Sequence, residues 1–350
     1  MFFAVLSACL PAEVPACGPV TLVGRPFPSM EQCAAEAPRI AEDWLADRSP
    51  LTRGGLSCLP LSGLAALPVE TPAPGVHVHL GQVAQFEDSP DGWIANLGFI
   101  IGRDSIAVID AGASRQQGQA LFAAIRAVSD KPISHLIVTH MHPDHAFGAE
   151  VFREAGAAIV GHERLADALQ ARGPTYLDNL TRLYGPGPMI GTRVVLPDSA
   201  VVGSLDIDLG GRVLTLTAAG PAHSDNDLTV LDRATGTLFA GDLVFRGLTP
   251  VVDGSLTGWI GWMDGARDGG PVVPGHGPVA RNWQEAVGAQ RDFLAALDRA
   301  TRDALDAGLP LSQAVPAIVD ALQPFGGDWA SFPETAARDA TAAYKELEWE

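Results

Sequence analysis

A block of metal-ligand side chains follows a short apolar segment near the middle of this 350-residue chain. Ser134–Thr139 predicts a short buried strand, and His140, His142, Asp144 and His145 come directly after it. In an extended loop the first two histidines project the same way, and the last two ligands turn aside where a helix begins. Imidazole and carboxylate together suit zinc, iron or manganese, with zinc the default. The block therefore predicts ligands for two adjacent metals.

Three further ligand candidates also follow apolar segments. They are His223 after Val213–Ala218, Asp242 after a Leu-Phe-Ala-Gly sequence, and His276 within a Pro-Gly-His-Gly-Pro sequence. Glycines beside a ligand let the backbone approach a metal closely. Ligands at the carboxyl ends of successive strands meet at one edge of an open α/β sheet. The sequence therefore predicts a single centre built from all seven side chains.

Two blocks of strands, each followed by helices, predict an α+β fold in which two sheets pack face to face with helices outside. The first block starts at Gly75, and the second extends from Val194 to Ala240, with Val201–Leu209 expected as one strand. The chain ends in helical patterns over Ala280–Ala307, Leu311–Leu322 and Ala336–Leu347.

The ordered ligand set resembles that of the metallo-β-lactamase fold superfamily, over roughly Gly75 to Ala300. The resemblance implies an αβ/βα four-layer sandwich of two mixed sheets. It also implies one metal on His140, His142 and His223, and another on Asp144, His145 and His276. Asp242 would then bridge both metals, together with a hydroxide.

Shorter motifs are similar to those of the quinoprotein relay system zinc metallohydrolases. That resemblance implies export and an association with periplasmic quinoprotein dehydrogenases. The motifs are Pro38–Ala41, Ile94–Phe99, Ala222–Val230, Asp253–Ser255, Pro274–Pro278 and Glu346–Glu350.

The expected activity is that of a dinuclear zinc-dependent hydrolase acting on an ester, thioester or similar small substrate. Two Zn²⁺ ions, or iron or manganese, would generate hydroxide near neutral pH, and Asp144 would orient this nucleophile as the catalytic residue. Three alternatives stay open: a β-lactamase or glyoxalase II-like thioesterase, an iron-dependent persulfide dioxygenase, and a non-catalytic accessory protein of a quinoprotein dehydrogenase. The C-terminal tail contains no basic patch that would bind glutathione, as a glyoxalase II-like thioesterase would need.

Four residues near the ligands are candidates for supporting roles. The superfamily resemblance implies that Asp110, at the end of a predicted strand, supports the ligand loop by hydrogen bonding. Asn226 and Asp227 could orient His223 or bind substrate, and Trp93 could form a wall of the substrate site in a loop overhanging the metals.

The expected organisation has four parts. Residues 1–18 resemble a signal or lipoprotein segment, with Cys9 a candidate for lipidation, and residues 19–74 form a cysteine-bearing segment and linker. The catalytic domain covers 75–300, and a helical extension covers 301–350. All four cysteines precede residue 59, which favours disulfides and the periplasm, with the cytoplasm as the alternative. Their pairing stays open.

Charge and hydropathy exclude two classes of partner. The formal net charge of −18 repels nucleic-acid phosphates, and it also disfavours long-range steering of anionic substrates. The chain contains no run of 18 apolar residues that would predict a membrane span.

Overall fold

The computed structural model of the protein describes residues 1–11, 16–265, 269–327 and 329–349. Parts of two motifs, residues 12–15 of the predicted leader and Glu350, lie outside the described residues. The first elements form a separate three-stranded sheet of order β2-β1-β3, covered by a helix. These elements are β1 (Phe2–Leu10), β2 (Ala16–Phe27), α1 (Met30–Leu45) and β3 (Thr52–Pro60).

The predicted leader segment is thus a structural strand in this protein. β1 is the central strand of the N-terminal sheet and pairs with a neighbour on each side. Cys9 forms a disulfide with Cys17. Cys33 of α1 forms the second disulfide, with Cys58 of β3.

A mixed seven-stranded sheet follows, of order β10-β9-β8-β7-β6-β5-β4. Neighbours from β7 to β10 pair parallel, and those from β4 to β7 pair antiparallel. Its elements and helices are β4 (Glu70–Ala73), β5 (Val76–His79), β6 (Leu97–Ile101), β7 (Ile106–Ile109), α2 (Arg115–Val128), β8 (Ile133–Ile137), α3 (Pro143–Ala146), α4 (Ala149–Glu154), β9 (Ala158–His162), α5 (Leu165–Tyr184) and β10 (Ser199–Val201).

A mixed five-stranded sheet of order β11-β12-β13-β14-β15 completes the sandwich. Only β14 and β15 pair parallel within it. Its elements and helices are β11 (Ser204–Asp208), β12 (Val213–Ala218), β13 (Leu228–Asp232), β14 (Thr237–Phe245), α6 (Leu256–Met263), β15 (Val272–His276), α7 (Trp283–Asp306), α8 (Leu311–Leu322) and α9 (Phe332–Leu347).

Alternation along the strands builds the layers. In β7, Ile106 and Val108 face the helices of the first sheet, whereas Ala107 and Ile109 face the second sheet. A further apolar cluster lies between the second sheet and helices α6 to α9, with Trp259 and Phe293 fully buried. The predicted four-layer α+β sandwich is confirmed. None of the helices in the described part of the chain combines the length and apolar character needed to cross a membrane.

Three boundaries expected from the sequence differ from those of the elements in the structure. The predicted strand Val201–Leu209 is two strands in different sheets, because Gly203 adopts a positive φ of 69° and ends the pairing of β10 with β9. The boundary at 74/75 cuts the β4–β5 hairpin, where Gly75 has φ 70°. The boundary at 300/301 falls inside α7, which packs into the second core.

Candidate metal centre

The structure brings all seven predicted ligands together at the carboxyl ends of strands. The loop after β8 carries His140 and His142, and Pro143 restricts the residue before it to extended backbone. α3 begins at Pro143, so Asp144 and His145 turn back toward the same space. The other ligands are His223 between β12 and β13, Asp242 in β14 and His276 at the end of β15.

Their donor atoms form two groups. His140, His142, His223 and Asp242 make up one group, and Asp144, His145 and His276 make up the other. Within each group the ligand atoms lie within 4.8 Å of one another.

In the first group, His142 Nδ1 lies 3.0 Å from the Nε2 atoms of both His140 and His223. Asp242 Oδ2 lies 3.6 Å from His140 Nε2 and 3.5 Å from His223 Nε2. Ligand atoms at the corners of a tetrahedron around zinc lie about 3.3 Å apart. These four donors are therefore spaced as the ligands of one tetrahedrally coordinated metal ion.

The second group shares Asp242 with the first. His276 Nε2 lies 3.4 Å from Asp144 Oδ2 and 3.3 Å from Asp242 Oδ2. His145 Nε2 lies 3.5 Å from Asp144 Oδ2 and 3.1 Å from Asp242 Oδ1. One carboxylate therefore contacts the donors of both groups, as a bridging ligand does.

The donor chemistry also fits a cation. His223 Nδ1 donates to the Val251 carbonyl (2.7 Å) and His276 Nδ1 to the Ile94 carbonyl (2.9 Å), so each neutral ring directs its Nε2 lone pair into the centre. Carboxylate oxygens also only accept. Among the described residues, buried His145 Nε2 and Asp242 Oδ1 have no hydrogen-bond partner. A divalent ion satisfies these converging lone pairs.

Asp110 holds the ligand loop as expected. Its Oδ2 accepts from His145 Nδ1 (2.8 Å) and from Thr139 Oγ1 (2.8 Å), and its Oδ1 accepts from the Thr139 backbone N–H (2.7 Å). Its φ of 59° is unusual for a residue other than glycine. This single buried carboxylate fixes both the ring orientation of His145 and the start of the loop.

Asn226 and Asp227 brace the ligand loops and do not line the cavity beside the metal centre. Asn226 Oδ1 accepts from the Met141 N–H (2.9 Å), which ties the His223 loop to the first ligand loop. Asp227 accepts from both the N–H and the hydroxyl of Ser224 (2.8 and 2.6 Å). Both side chains are buried, so they orient the ligand loops.

Trp93 is not part of the substrate wall. Its ring packs against the core of the first sheet, and it does not line the cavity beside the metal centre. The predicted overhanging loop does reach this cavity, but through its opposite end, at Gln85, Phe86 and Glu87.

Sequence reasoning assigned no role to Asn96, although it lies in one of the motifs. Its Nδ2 donates to the carbonyls of Pro274 (2.9 Å) and Gly277 (2.8 Å), on either side of His276. Within that loop Gly275 is required, because a Cβ there would lie 1.8 Å from Asp242 Oδ1. Only the folded chain shows that this distant asparagine clamps the His276 loop.

The loop 251–253 supports two ligands of the first group at once. Val251 accepts from His223, and Asp253 Oδ2 lies 3.0 Å from His142 Nε2. Arg172 of α5 donates to the same carboxylate (2.6 and 3.3 Å). Burial opposes ionisation, but the hydrogen bonds from His142 and Arg172 lower the pKa of Asp253 below its ordinary value. Asp253 therefore presents an anion to His142.

Helix α9 anchors this loop from behind. Buried Asp339 Oδ1 accepts from the Val252 N–H (2.9 Å), and burial raises the pKa of Asp339 to about 8. Glu346 accepts from the Ser255 hydroxyl and the Leu256 N–H (both 2.7 Å) at the start of α6. The C-terminal helix is thus connected to the metal centre through one loop.

Burial and the clustered charges move the histidine pKa values in opposite directions. Burial lowers the pKa of His140, and it lowers that of His223 to about 3, which favours neutral, ligating rings. Burial also opposes the charged form of His145, but the carboxylates of Asp242, Asp144 and Asp110 raise its pKa well above the ordinary value. The centre attracts positive charge most strongly around His145.

A cavity of about 600 Å³ opens onto the metal centre. His142, His223, Asp242 and His276 line it, together with Asp144. Its apolar lining residues include Phe86, Leu180, Leu183, Leu248 and Val251. A substrate of modest size can therefore reach the ligands.

The family model of the metallo-beta-lactamase superfamily matches residues 90–297, more than half of the chain. The chain therefore belongs to the metallo-beta-lactamase superfamily.

Two solved structures share the fold. A metallo-beta-lactamase from Pontibacter korlensis has a TM-score of 0.53 and 19% sequence identity, covering 65% of this chain and 99% of that one. The sec-alkylsulfatase Pisa1 from Pseudomonas sp. has a TM-score of 0.60 and 16% identity, covering 80% of this chain and 50% of that one.

Curated relatives match shorter stretches. The acyl-coenzyme A thioesterase MBLAC2 of Bos taurus is 27% identical over 179 residues, 47% of this chain and 61% of that protein. A linear primary-alkylsulfatase of Pseudomonas sp. is 32% identical over 76 residues, 20% of this chain and 14% of that protein. The chain thus aligns with less than two thirds of either relative.

Proposed function

We propose that the protein is a dinuclear zinc hydrolase that cleaves a small ester or thioester. The observation that carries this proposal is the position of Asp242, whose carboxylate contacts the donors of both groups (3.1–3.6 Å). Two complete donor groups argue against a mononuclear iron dioxygenase.

The chain's own residues prepare the reaction. A metal pair held by the two donor groups would supply water of lowered pKa and positive charge for the scissile carbonyl oxygen. Asp144, which lines the cavity, orients the attacking water, accepts its proton and passes it to the leaving group. Asp110 and Asp253 hold the rings of His145 and His142 in place, so that the ligands need no reorganisation during turnover.

A thioester or carboxylic ester fits better than a β-lactam. The thioesterase relatives support a thioester, and the apolar cavity lining suits an acyl chain. Phe245, three residues after Asp242, stacks on His276 with ring centroids 5.1 Å apart. This ring therefore presents an apolar surface beside His276.

An oxidising compartment is part of the proposal. The disulfides Cys9–Cys17 and Cys33–Cys58 use all four cysteines of the chain. Such bonds persist outside the reducing cytosol. Together with the motifs resembling quinoprotein relay proteins, they support a periplasmic role beside a quinoprotein dehydrogenase.

The test combines metal analysis with a hydrolysis screen over esters, thioesters, lactams and phosphodiesters. We expect about two zinc ions per chain, thioester cleavage, loss of activity with a chelator and recovery with Zn²⁺. Asp242→Ala should lose metal and activity. His162→Gln is the matched control, because His162 is a buried histidine that caps the Arg164 N–H away from the centre.

Two outcomes would reject the proposal. Full turnover by metal-free protein would exclude metal-assisted hydrolysis. One iron per chain with oxygen consumption would identify a dioxygenase instead.

A further inference from the structure

Three guanidinium groups line the cavity, although the protein carries a net charge of −18. Arg172 and Arg182 come from α5, and Arg338 comes from α9. From charge alone, the sequence argued against anionic substrates. The fold instead places these three guanidinium groups, together with the carboxylates of Glu87, Asp144, Asp242 and Asp253, around a cavity that opens onto the metal centre.

Two of these arginines already have partners. Arg172 donates to both oxygens of Asp253, and its guanidinium lies 5.1 Å from the centroid of the Tyr176 ring. Arg182 donates to Asn179 on its own helix. Both guanidinium groups are therefore already hydrogen-bonded to neighbouring residues.

Arg338 has no such partner among the described residues. Its side chain is exposed, and in the described ranges it forms neither an ion pair nor a hydrogen bond with another residue. The adjacent Asp339 is turned into the core, where its carboxyl accepts from Val252. The charge of Arg338 is therefore available to a molecule in the cavity.

The rest of the lining defines what such a molecule needs. Phe86 and Leu183 form apolar lining, as do Leu248 and Val251 near the metal ligands. A small molecule that fills the cavity therefore contacts both apolar side chains and the Arg338 guanidinium. Guanidinium binds carboxylate and phosphate oxygens in a two-pronged geometry.

We propose that the cavity selects esters or thioesters that have an apolar body and carry a second, anionic group, which Arg338 binds. This inference rests on the proposed hydrolase function, and it names the substrate class of that same site. Arg338 is a specificity-determining residue in this scheme and takes no part in bond cleavage.

The test compares matched thioesters on the zinc-loaded full chain. One pair is the S-phenyl thioester of glutarate against that of hexanoate, which differ in a terminal carboxylate. The other pair is the hexanoyl thioester of mercaptopropionate against that of propanethiol, which moves the anion to the leaving group. Arg338→Ala should lower kcat/KM for the anionic member of one pair by about tenfold and leave the neutral member close to unchanged.

The matched control is Lys345→Ala, which removes an exposed cation from the same helix away from the cavity lining. This variant should behave as wild type on all four thioesters. Arg338→Lys should retain part of the preference, since it keeps the charge and loses the paired geometry. An equal effect of Arg338→Ala on anionic and neutral members of both pairs would overturn the proposal.

Calorimetry separates this inference from the hydrolase proposal. Glutarate binding is measured against butyrate for wild type, Arg338→Ala and Lys345→Ala. If no thioester is cleaved, the hydrolase proposal fails, and weaker glutarate binding by Arg338→Ala alone would still support the anion site. Equal glutarate affinity of the three proteins would reject it.

Discussion

The N-terminal sheet and the C-terminal helices both lie at the ends of the chain, yet they relate differently to the metal centre. β1 to β3 and α1 precede the family match at residue 90, and α8 and α9 follow its end at residue 297. None of the described residues of the N-terminal sheet lines the metal cavity, whereas Arg338 of α9 does.

The N-terminal sheet is docked by a buried ion-pair network on the outer helices of the first sheet. Arg115 of α2 has a fully buried side chain that pairs with Glu154 (2.6 Å) and donates to the Thr21 carbonyl. Glu154 also accepts from Trp44 Nε1 (2.8 Å) of α1. These contacts fix the sheet in place and do not extend to the ligands.

The C-terminal helix, by contrast, holds a loop that touches two ligands. Asp339 and Glu346 secure the segment 251–256, from which Val251 and Asp253 contact His223 and His142. The comparison teaches that an appended region contributes to chemistry only where its hydrogen bonds reach the ligands. One region contributes stability, and the other positions the site.

The largest effect is expected for Glu154→Ala. Loss of this carboxylate removes the closest ion-pair partner of buried Arg115, so the free energy of unfolding should fall by about 3 kcal/mol. Denaturant unfolding measures this change. The zinc-loaded enzyme should keep its kcat below the unfolding transition. A large loss of kcat in the folded variant would contradict the conclusion that the N-terminal sheet contributes stability and does not position the site.

For Asp253→Ala we expect the effect at the metal centre. It removes the carboxylate that orients His142 and pairs with Arg172, so metal affinity or kcat should fall roughly 10- to 100-fold. Zinc titration and steady-state kinetics measure the effect. Asp206→Ala is the matched control, because Asp206 pairs with Arg233 at the exposed edge of the second sheet. Wild-type zinc affinity together with wild-type kcat in Asp253→Ala would contradict the proposed link between this loop and the ligands.

A separate effect concerns the pH dependence of stability contributed by Asp339. The pKa of its buried carboxyl is raised from 3.8 to about 8, so between these values the folded state holds a proton that the unfolded state has lost. Its contribution to stability is present below about pH 4 and is lost as pH rises to about 8. Asp339→Asn keeps an acceptor for Val252 without titrating, so its Tm should fall less than that of wild type from pH 5 to 8. Parallel Tm curves would show that Asp339 does not titrate in this range.

The fold class and the seven converging side chains could be predicted from the sequence because their signals are local. Each ligand follows an apolar segment, and Pro143 fixes the turn between His142 and Asp144. The supporting residues Asn96 and Asp339 could not be assigned a role, since their partners are 178 and 87 positions away in the sequence. The role of Trp93 could not be decided from the sequence, because an aromatic residue next to a site loop packs equally well into a core.

By itself, the sequence determined which residues can act as ligands, the alternation that builds two sheets, and a cysteine distribution suited to disulfides. Tertiary structure alone decided that the first residues form a central strand, that Cys9 pairs with Cys17, and that Arg338 reaches the metal cavity. The reason is physical: ligand type and hydrophobic period are properties of neighbouring residues, whereas burial and distance between remote side chains arise only when the layers pack.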